Sequence, residues 1–205
     1  MDRARQEIPD SELWRQAANQ DAGAFGELFE RHADAVYVHC FRRTASWSRA
    51  EELTSVVFLE AWRRRQSVHL DTDSILPWLL AVANNVIRNA NRSLRRHQRL
   101  LAKLPRPLEA GDFGGDAAGR LDDEREMRHI LGVLSALRAE EQEVIALCDW
   151  AGLSYAQSAT ALDVPVGTVR SRLSRAHEHL RARVHADGQS VAWLAAAYRH
   201  PEGGS

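Results

Sequence analysis

The chain has 205 residues, of which 44% are hydrophobic and 27% are charged, and its formal net charge is −1. These proportions are those of an ordinary water-soluble globular protein. No apolar run approaches the roughly 18 residues that a membrane span requires, and the first 14 residues lack the apolar segment of a secretory signal. We therefore expect a cytoplasmic protein without membrane insertion. Cys40 and Cys148 are predicted to be buried thiols, and no residue spacing indicates a metal site or a cofactor.

Charge is distributed unevenly along the chain. Seven arginines and lysines and no acid lie between Ser74 and Leu108, and five arginines with one acid lie between Val166 and Val184. The acids collect in residues 2–60 and 112–143. Because local charge sets the affinity for phosphate, the two basic stretches predict two separate contacts with a polyanion.

Hydrophobic periodicity predicts four helices in the first half of the chain, at about 11–20, 22–45, 49–66 and 75–101. Asp21 is predicted to cap the second of them, and Ser48 with Glu51 fits a capping box for the third. Pro77 falls in the first turn of the fourth helix, where its missing N–H costs little. The first half is therefore predicted to be all-α.

The fourth predicted helix combines an apolar stripe with a basic face. The stripe comprises Leu79, Val82, Ala83, Val86, Ala90 and Leu94, and the basic residues on the other side are Arg88, Arg92, Arg95, Arg96, Arg99 and Lys103. A solvated helix face usually mixes acids and bases so that they pair at i,i+4. The absence of acids therefore favours nucleic-acid contact over simple solvation.

A boundary follows this helix. The 15 residues 105–119 contain two prolines and four glycines, a composition that holds neither a helix nor a strand ladder. We predict a flexible linker at 104–121 between an N-terminal helical domain, residues 1–103, and a C-terminal domain, residues 122–184. A short tail at 185–205 is predicted to form at most one small helix.

The C-terminal half is predicted to contain helices at 122–137 and 139–150, followed by two helices joined by a tight turn. Ser154 and Gln157 form a second capping box, and residues 163–166 supply the turn. Helix, tight turn and helix together are typical of a helix-turn-helix, whose second helix enters the DNA major groove. A three-helix packing motif without DNA affinity would look similar.

The second helix of this pair favours the DNA interpretation. Val169, Leu173 and Ala176 are predicted to pack inward, which leaves a polar outer face. Arginine can bind guanine through two hydrogen bonds, and serine can donate or accept at any base edge. The predicted duplex contacts are Thr168, Arg170, Ser171, Arg172, Ser174 and Arg175.

The segment 153–176, LSYAQSATALDVPVGTVRSRLSRA, closely resembles the −35 reader of bacterial RNA polymerase sigma factors of the extracytoplasmic-function (ECF) group. Residues 24–31 resemble the first helix of that family, and residues 50–62 resemble its segment that docks on the clamp helices of the polymerase β′ subunit. Residues 78–85 and the arginines after them resemble the part that melts and reads the −10 element. The resemblance covers about 20–103 and 122–184.

The resemblance implies roles for individual residues. The polymerase-binding set would be Glu51, Glu52, Thr54, Ser55, Phe58 and Trp62, although Phe58 and Trp62 also fit a core position. The −10 set would be Asn84, Asn85, Arg88, Arg92, Arg95 and Arg96, with the asparagines offering hydrogen bonds to a flipped-out base. The implied partners are core RNA polymerase, promoter DNA and, as a further candidate, an anti-sigma factor.

We therefore predict a sigma factor without catalytic residues, which reads the −35 element as duplex and the −10 element as a melted strand. The main alternative is a conventional helix-turn-helix regulator that binds duplex DNA without polymerase. A helical nucleic-acid hydrolase would need clustered carboxylates, whereas Glu51 and Glu52 diverge on a helix. A protein-interaction adaptor would leave both arginine faces unexplained.

Overall fold

The structure, a computed structural model, describes residues 8–70, 73–101 and 117–187, without the side chains of 95, 97–101, 117–118 and 184–187. Within these ranges the chain is all-α. The helices are α1 (Asp10–Ala18), α2 (Ala22–Thr44), α3 (Trp47–Arg64), α4 (Leu76–Leu101), α5 (Ala117–Leu134), α6 (Ala139–Val144) with a π-helical continuation (Ile145–Trp150), α7 (Tyr155–Leu162) and α8 (Val166–Asp187).

Side-chain caps set several of the helix starts. The Asp21 carboxylate accepts hydrogen bonds from the amides of Gly23 at 2.8 Å and Ala24 at 3.1 Å, which confirms the predicted cap of α2. The predicted capping box at Ser48 is wrong. Ser46 caps α3 instead by accepting from the Arg49 amide, so α3 starts two residues earlier than predicted. An alternative hydroxyl two residues away made this start ambiguous in the sequence.

Helices α1 to α4, which we call the N-terminal module, pack around α2 and α3. Trp14, Leu28, Val57 and Leu79 lie in its core and are almost completely buried. Burial of such side chains is the main source of stability in a module of this size, at about 1.5–3 kcal/mol each. The Asp10 carboxylate also links these helices, through hydrogen bonds to residues of α2 and to the start of α4.

The Asp10 carboxylate accepts from His32 Nε2 at 2.6 Å, from the Ile75 amide at 3.0 Å and from Arg31 Nη1 at 3.2 Å. Burial alone would raise the pKa of Asp10, but the hydrogen bonds from His32 and the Ile75 amide outweigh it. The pKa is therefore lowered to about 2. Asp10 thus stays ionised, and it links α1, α2 and the start of α4.

Helices α5 to α8, which we call the C-terminal module, form a second packing unit in which α8 lies against α6 and α7. Helix α5 begins at Ala117, five residues before the predicted start, because alanines favour the helical state even beside glycine. The rest of the predicted linker, 104–116, lies outside the described residues, as does the predicted tail helix. No helix in the described ranges combines the length and apolarity needed to cross a lipid bilayer.

The two modules touch each other. Arg42 Nη1 on α2 donates to the Trp150 carbonyl at 2.7 Å, and Glu124 on α5 accepts from the Trp47 amide at 2.9 Å. Arg88 on α4 and Glu143 on α6 form an ion pair at 2.7 Å, and α7 packs against α4. The C-terminal module therefore lies across one face of α2 and α4.

Candidate nucleic-acid and partner interfaces

Helices α7 and α8 have helix-turn-helix geometry. The predicted capping box is confirmed: the Ser154 hydroxyl accepts from the Gln157 amide at 3.2 Å, and the Gln157 side chain accepts from the Ser154 amide at 2.9 Å. The turn places Asp163 in the left-handed region with φ 53°, a conformation that aspartate tolerates better than most residues. This sharp turn sets the direction of α8 relative to α7.

Helix α8 presents the face that the sequence predicts for DNA. Val169, Leu173 and Ala176 are buried against the module, as predicted. The exposed outer residues are Arg170, Ser171, Ser174 and Arg175, whereas Thr168 and Arg172 are half-buried. An exposed row of arginine and serine donors on the second helix of a helix-turn-helix has the chemistry for base edges and phosphates.

Local contacts orient the arginines of this face. The Arg170 guanidinium lies 5.7 Å from the centre of the Tyr155 ring, within the range of a cation–π contact. Arg175 Nε donates to the Ser171 carbonyl at 3.1 Å. Both arginines keep exposed guanidinium groups, so each can exchange these weak local contacts for DNA.

Helix α4 carries the second basic face. Arg88, Arg92 and Arg96 are exposed, and together with Arg43 they line a cavity of about 460 Å³ between the modules. The Arg95 side chain, like those of Arg99 and Lys103, lies outside the described part. Arg88 differs from Arg92 and Arg96 because its guanidinium is paired with Glu143. The face is thus basic as predicted, and an acid of the other module covers part of it.

The structure separates the two asparagines that the sequence groups together. Asn85 is exposed, but Asn84 is only 3% exposed. Its Oδ1 accepts from His39 Nε2 at 3.0 Å, and its Nδ2 is buried without an acceptor among the described residues. Periodicity did not predict this burial, because a polar residue in a helix is usually assigned to the solvent side.

The α3 residues in the predicted polymerase set divide into surface and core. Glu51, Glu52 and Ser55 are exposed. Thr54 and Phe58 are buried, and the half-buried Trp62 has the Arg65 guanidinium 3.6 Å above its ring. The core position that the sequence allowed for Phe58 is therefore the observed one, and Phe58 and Thr54 would support the surface from beneath.

Sequence reasoning missed an exposed apolar patch on the same helix. Val56 is 42% exposed and Leu59 is 47% exposed, one turn apart on α3. Phe29 of α2 is 44% exposed, and its ring centre lies 4.7 Å from that of Phe58. The available signal was that α3 is apolar over most of its surface, which exceeds what one buried face needs. Exposed apolar side chains in such a group indicate a protein-binding surface.

Reactive or metal-binding groups do not account for any of these surfaces. In the parts of the chain that the structure describes, no three histidine, cysteine or acidic side chains come together as metal ligands. Burial raises the pKa of the Cys40 thiol to about 11, so this thiol is inert at neutral pH.

Two family models match the chain, and they match the regions that carry these features. Sigma-70 region 2 matches residues 28–99, which include α3 and most of α4. Sigma-70 region 4 matches residues 128–180, which include the helix-turn-helix. The two basic faces therefore fall in two regions of one known family.

Relatives matched over most of their length agree. The ECF RNA polymerase sigma factor SigK of Mycolicibacterium vanbaalenii is 32% identical over 165 residues, 78% of this chain and 82% of SigK. The solved structure of CnrH in complex with the cytosolic domain of CnrY is 25% identical with a TM-score of 0.65, covering 87% of this chain and 98% of that one.

A further solved structure, the sigma factor RpoE in complex with the anti-sigma factor NepR from Bartonella quintana, shares the fold. Its TM-score is 0.59 at 22% identity, covering 80% of this chain and 98% of that one. The family regions, the SigK relative and the helical architecture all agree with the resemblance seen in the sequence. The chain belongs to the extracytoplasmic-function sigma factors, which direct RNA polymerase to promoters.

Proposed function

We propose that this sigma factor divides promoter recognition between its two basic faces and binds core polymerase through α3. The observation that carries the proposal is the presence of two separate arginine faces, on α4 and on α8. A regulator with one helix-turn-helix would need only the second. Binding and strand trapping require no bond to be broken, so we assign the protein no catalytic residue. Because promoter DNA and RNA polymerase are its proposed partners, we assign it a cytoplasmic location.

The α8 face would read the −35 element as duplex. Arg170, Ser171, Ser174 and Arg175 would contact base edges, and the half-buried Arg172 and Thr168 would contact phosphates. The exposure of the first four supports this division, since a residue that reads a base edge must reach into the groove.

The α4 face would hold the melted −10 strand. Arg88, Arg92 and Arg96 would track the phosphates, and Asn85 would contact an extruded base. Asn84, which lies beneath the surface, would donate a hydrogen bond to the base through its Nδ2. Its buried Nδ2 has no acceptor among the described residues, which costs about 1–3 kcal/mol, and a base acceptor that reached it would recover part of that.

The exposed face of α3 would bind the clamp helices of the β′ subunit. Glu51, Glu52 and Ser55 would form its polar part, and Val56 and Leu59 its apolar centre. Interfaces usually combine a desolvated apolar centre with a polar rim, which matches this arrangement. We also propose an anti-sigma factor as a partner, because the RpoE structure named above contains one.

The test is to mix the full chain with core polymerase and a promoter library. We expect a complex with core and initiation from promoters that share two sequence elements. Specific binding to duplex DNA without core, combined with no complex with core, would contradict the proposal and support a conventional regulator.

A further inference from the structure

The cavity of about 460 Å³ that α2, α4 and α6 enclose is rich in arginine. Arg43 of α2 lines it together with Arg88, Arg92 and Arg96 of α4, and Glu143 of α6 is the one acid among the described residues around it. Four guanidinium groups and one carboxylate leave the wall with a net charge of +3. Like charges that converge in a concave site repel one another, so a bound anion would stabilise this wall.

Arg43 provides an independent observation that points to an anion. Its Nε is buried and has no acceptor among the residues that the structure describes. Burial lowers the pKa of the Arg43 guanidinium, the charge of Glu143 raises it in part, and the charge of Arg88 lowers it further. A buried charged donor without an acceptor destabilises the fold, and an anion in the cavity would supply the missing acceptor.

The arrangement of the arginines indicates the class of anion. Glu143 Oε1 lies 2.7 Å from Arg88 Nη2, so this guanidinium is already paired in part. Arg92 and Arg96 are exposed and lie one helical turn apart on the same side of α4. Arginine binds phosphate through paired hydrogen bonds, and several guanidinium groups around one cavity can hold a chain of linked phosphates.

Amide and apolar side chains complete the wall. Gln142 Nε2 donates to the Leu134 and Leu137 carbonyls at 3.0 and 3.1 Å, so this amide is fixed and its Oε1 is the atom left for a ligand. Asn91 adds a second amide, and Ile87 adds an apolar side chain. A fixed acceptor near an apolar surface suits a nucleobase, and the volume lies within the roughly 300–1,000 Å³ of small-molecule sites.

We propose that this cavity binds a nucleoside polyphosphate, with its phosphates on Arg43, Arg92 and Arg96 and its base beside Gln142 and Ile87. Helices of both modules bound the cavity, which favours a small ligand over a continuous strand. Arg43 and Gln142 belong to neither of the DNA-binding sets, so the site does not rest on the proposed −10 role of α4. Competition between the ligand and single-stranded DNA for Arg92 and Arg96 does rest on that role.

The first measurement is calorimetric titration of the full chain with each of the four ribonucleoside triphosphates and with pyrophosphate, without DNA or polymerase. We expect at least one nucleotide to bind at one site, at least about tenfold more tightly than pyrophosphate, because only a nucleotide can use the fixed amide and the apolar side chain. Equal affinities would contradict the nucleoside part of the proposal. No binding of any of these compounds at about 1 mM would overturn it.

The second measurement locates the site with two matched variants. Ala139→Glu adds an acid to the α6 wall of the cavity, and Ala136→Glu adds the same acid at an exposed alanine outside the lining residues. Ala139 is the first residue of α6, where an acid is favourable, so the fold should be kept. We expect nucleotide affinity to fall by at least about tenfold in Ala139→Glu relative to Ala136→Glu. Equal affinity in the two variants would place the ligand elsewhere.

The third measurement tests Arg43 itself. Arg43→Met removes the charge but keeps much of the side-chain length. Without ligand the variant should be at least as stable as the wild type, since an unpaired buried charge is lost, whereas its nucleotide affinity should fall by at least about tenfold. A less stable variant that binds nucleotide like the wild type would show that Arg43 is only structural. If stability and affinity both fall, the two alanine variants decide.

The last measurement separates the ligand from DNA, using a 20-nucleotide oligothymidylate as the strand. Saturating nucleotide should weaken its binding by at least about fivefold, because both use Arg92 and Arg96. If Ala139→Glu weakens binding of the oligonucleotide and no nucleotide binds, the cavity belongs to the strand and the proposal fails. If nucleotide binds and the oligonucleotide does not, the −10 role of α4 fails and the nucleotide site stands.

Discussion

His39 shows how burial changes the chemistry of a single residue. It lies in the core beside α4, where burial lowers its pKa to about 4, the hydrogen bond with Asn84 raises it in part, and the charges of Arg43 and Arg42 lower it further. In the unfolded chain the pKa is the ordinary 6.5. The unfolded state therefore binds more protons than the folded state between these two values.

This difference fixes the sign of the pH dependence. A folded-state pKa below the unfolded value means that stability is lost as pH falls from about 6.5 towards 4. At pH 5 the loss due to His39 should be about 2 kcal/mol. Urea unfolding at pH 7 and pH 5 should show this loss in the free energy of unfolding in the wild type and a much smaller loss in His39→Gln. An equal loss in the two proteins would mean that His39 titrates normally.

Arg175 provides the residue-level test of the −35 face. Its guanidinium is exposed and, among the residues that the structure describes, bonds to a carbonyl of its own helix, so Arg175→Ala should leave the fold intact. Loss of one base-reading arginine costs about 1–3 kcal/mol, so transcription from promoters with a −35 element should fall by about five- to 150-fold. Arg181→Ala, an exposed arginine farther along α8, is the matched control. Weaker binding to core polymerase in Arg175→Ala would contradict the assignment of α8 to DNA and of α3 to polymerase.

The apolar patch of α3 makes a prediction at the scale of one element. Leu59→Glu places a charge in the proposed interface with β′, and binding to core polymerase should weaken by at least about tenfold. Because Leu59 is exposed, the free energy of unfolding should change by no more than about 0.5 kcal/mol. Leu121→Glu changes an equally exposed leucine on α5 and serves as the control. If both variants bind core like the wild type, the patch is not the interface.

The cap of α2 makes a second prediction at this scale. Asp21→Ala removes the acceptor of two amides in the first turn, which should cost about 1 kcal/mol of stability. Asp21→Ser keeps a capping oxygen and should lose only a fraction of that. Chemical denaturation of the three proteins measures both values, and an unchanged midpoint in Asp21→Ala would show that water replaces the carboxylate at no cost.

At the scale of the whole molecule, the predicted linker sets how far the two modules can separate. Its residues 104–116 span at most about 45 Å when fully extended, and deletion of eight of them removes about 28 Å of reach. We expect such a deletion to keep core polymerase binding but to abolish use of promoters that require both elements. Replacement of the same eight residues by glycine and serine keeps the length and should keep activity. Full activity of the deletion variant would mean that the length of the linker does not limit how far the two modules can separate.

Much of this architecture could be predicted from local sequence signals. Helix periodicity, the Asp21 cap and the Ser154–Gln157 capping box depend on neighbouring residues, and the structure confirms them. The exposure of Arg170 and Arg175 on α8 could be predicted for the same reason. Errors arose at positions where two local solutions compete, as with Ser46 and Ser48 at the start of α3.

The sequence by itself determined the helical class, the two basic stretches and the likeness to a family, because each depends on residue type and spacing along one chain. Only the tertiary structure decided that Asn84 is buried against His39, that Val56 and Leu59 remain exposed, and that Glu143 pairs with Arg88. These facts depend on which helices meet. Residues 55 positions apart become neighbours through packing, which no local pattern encodes.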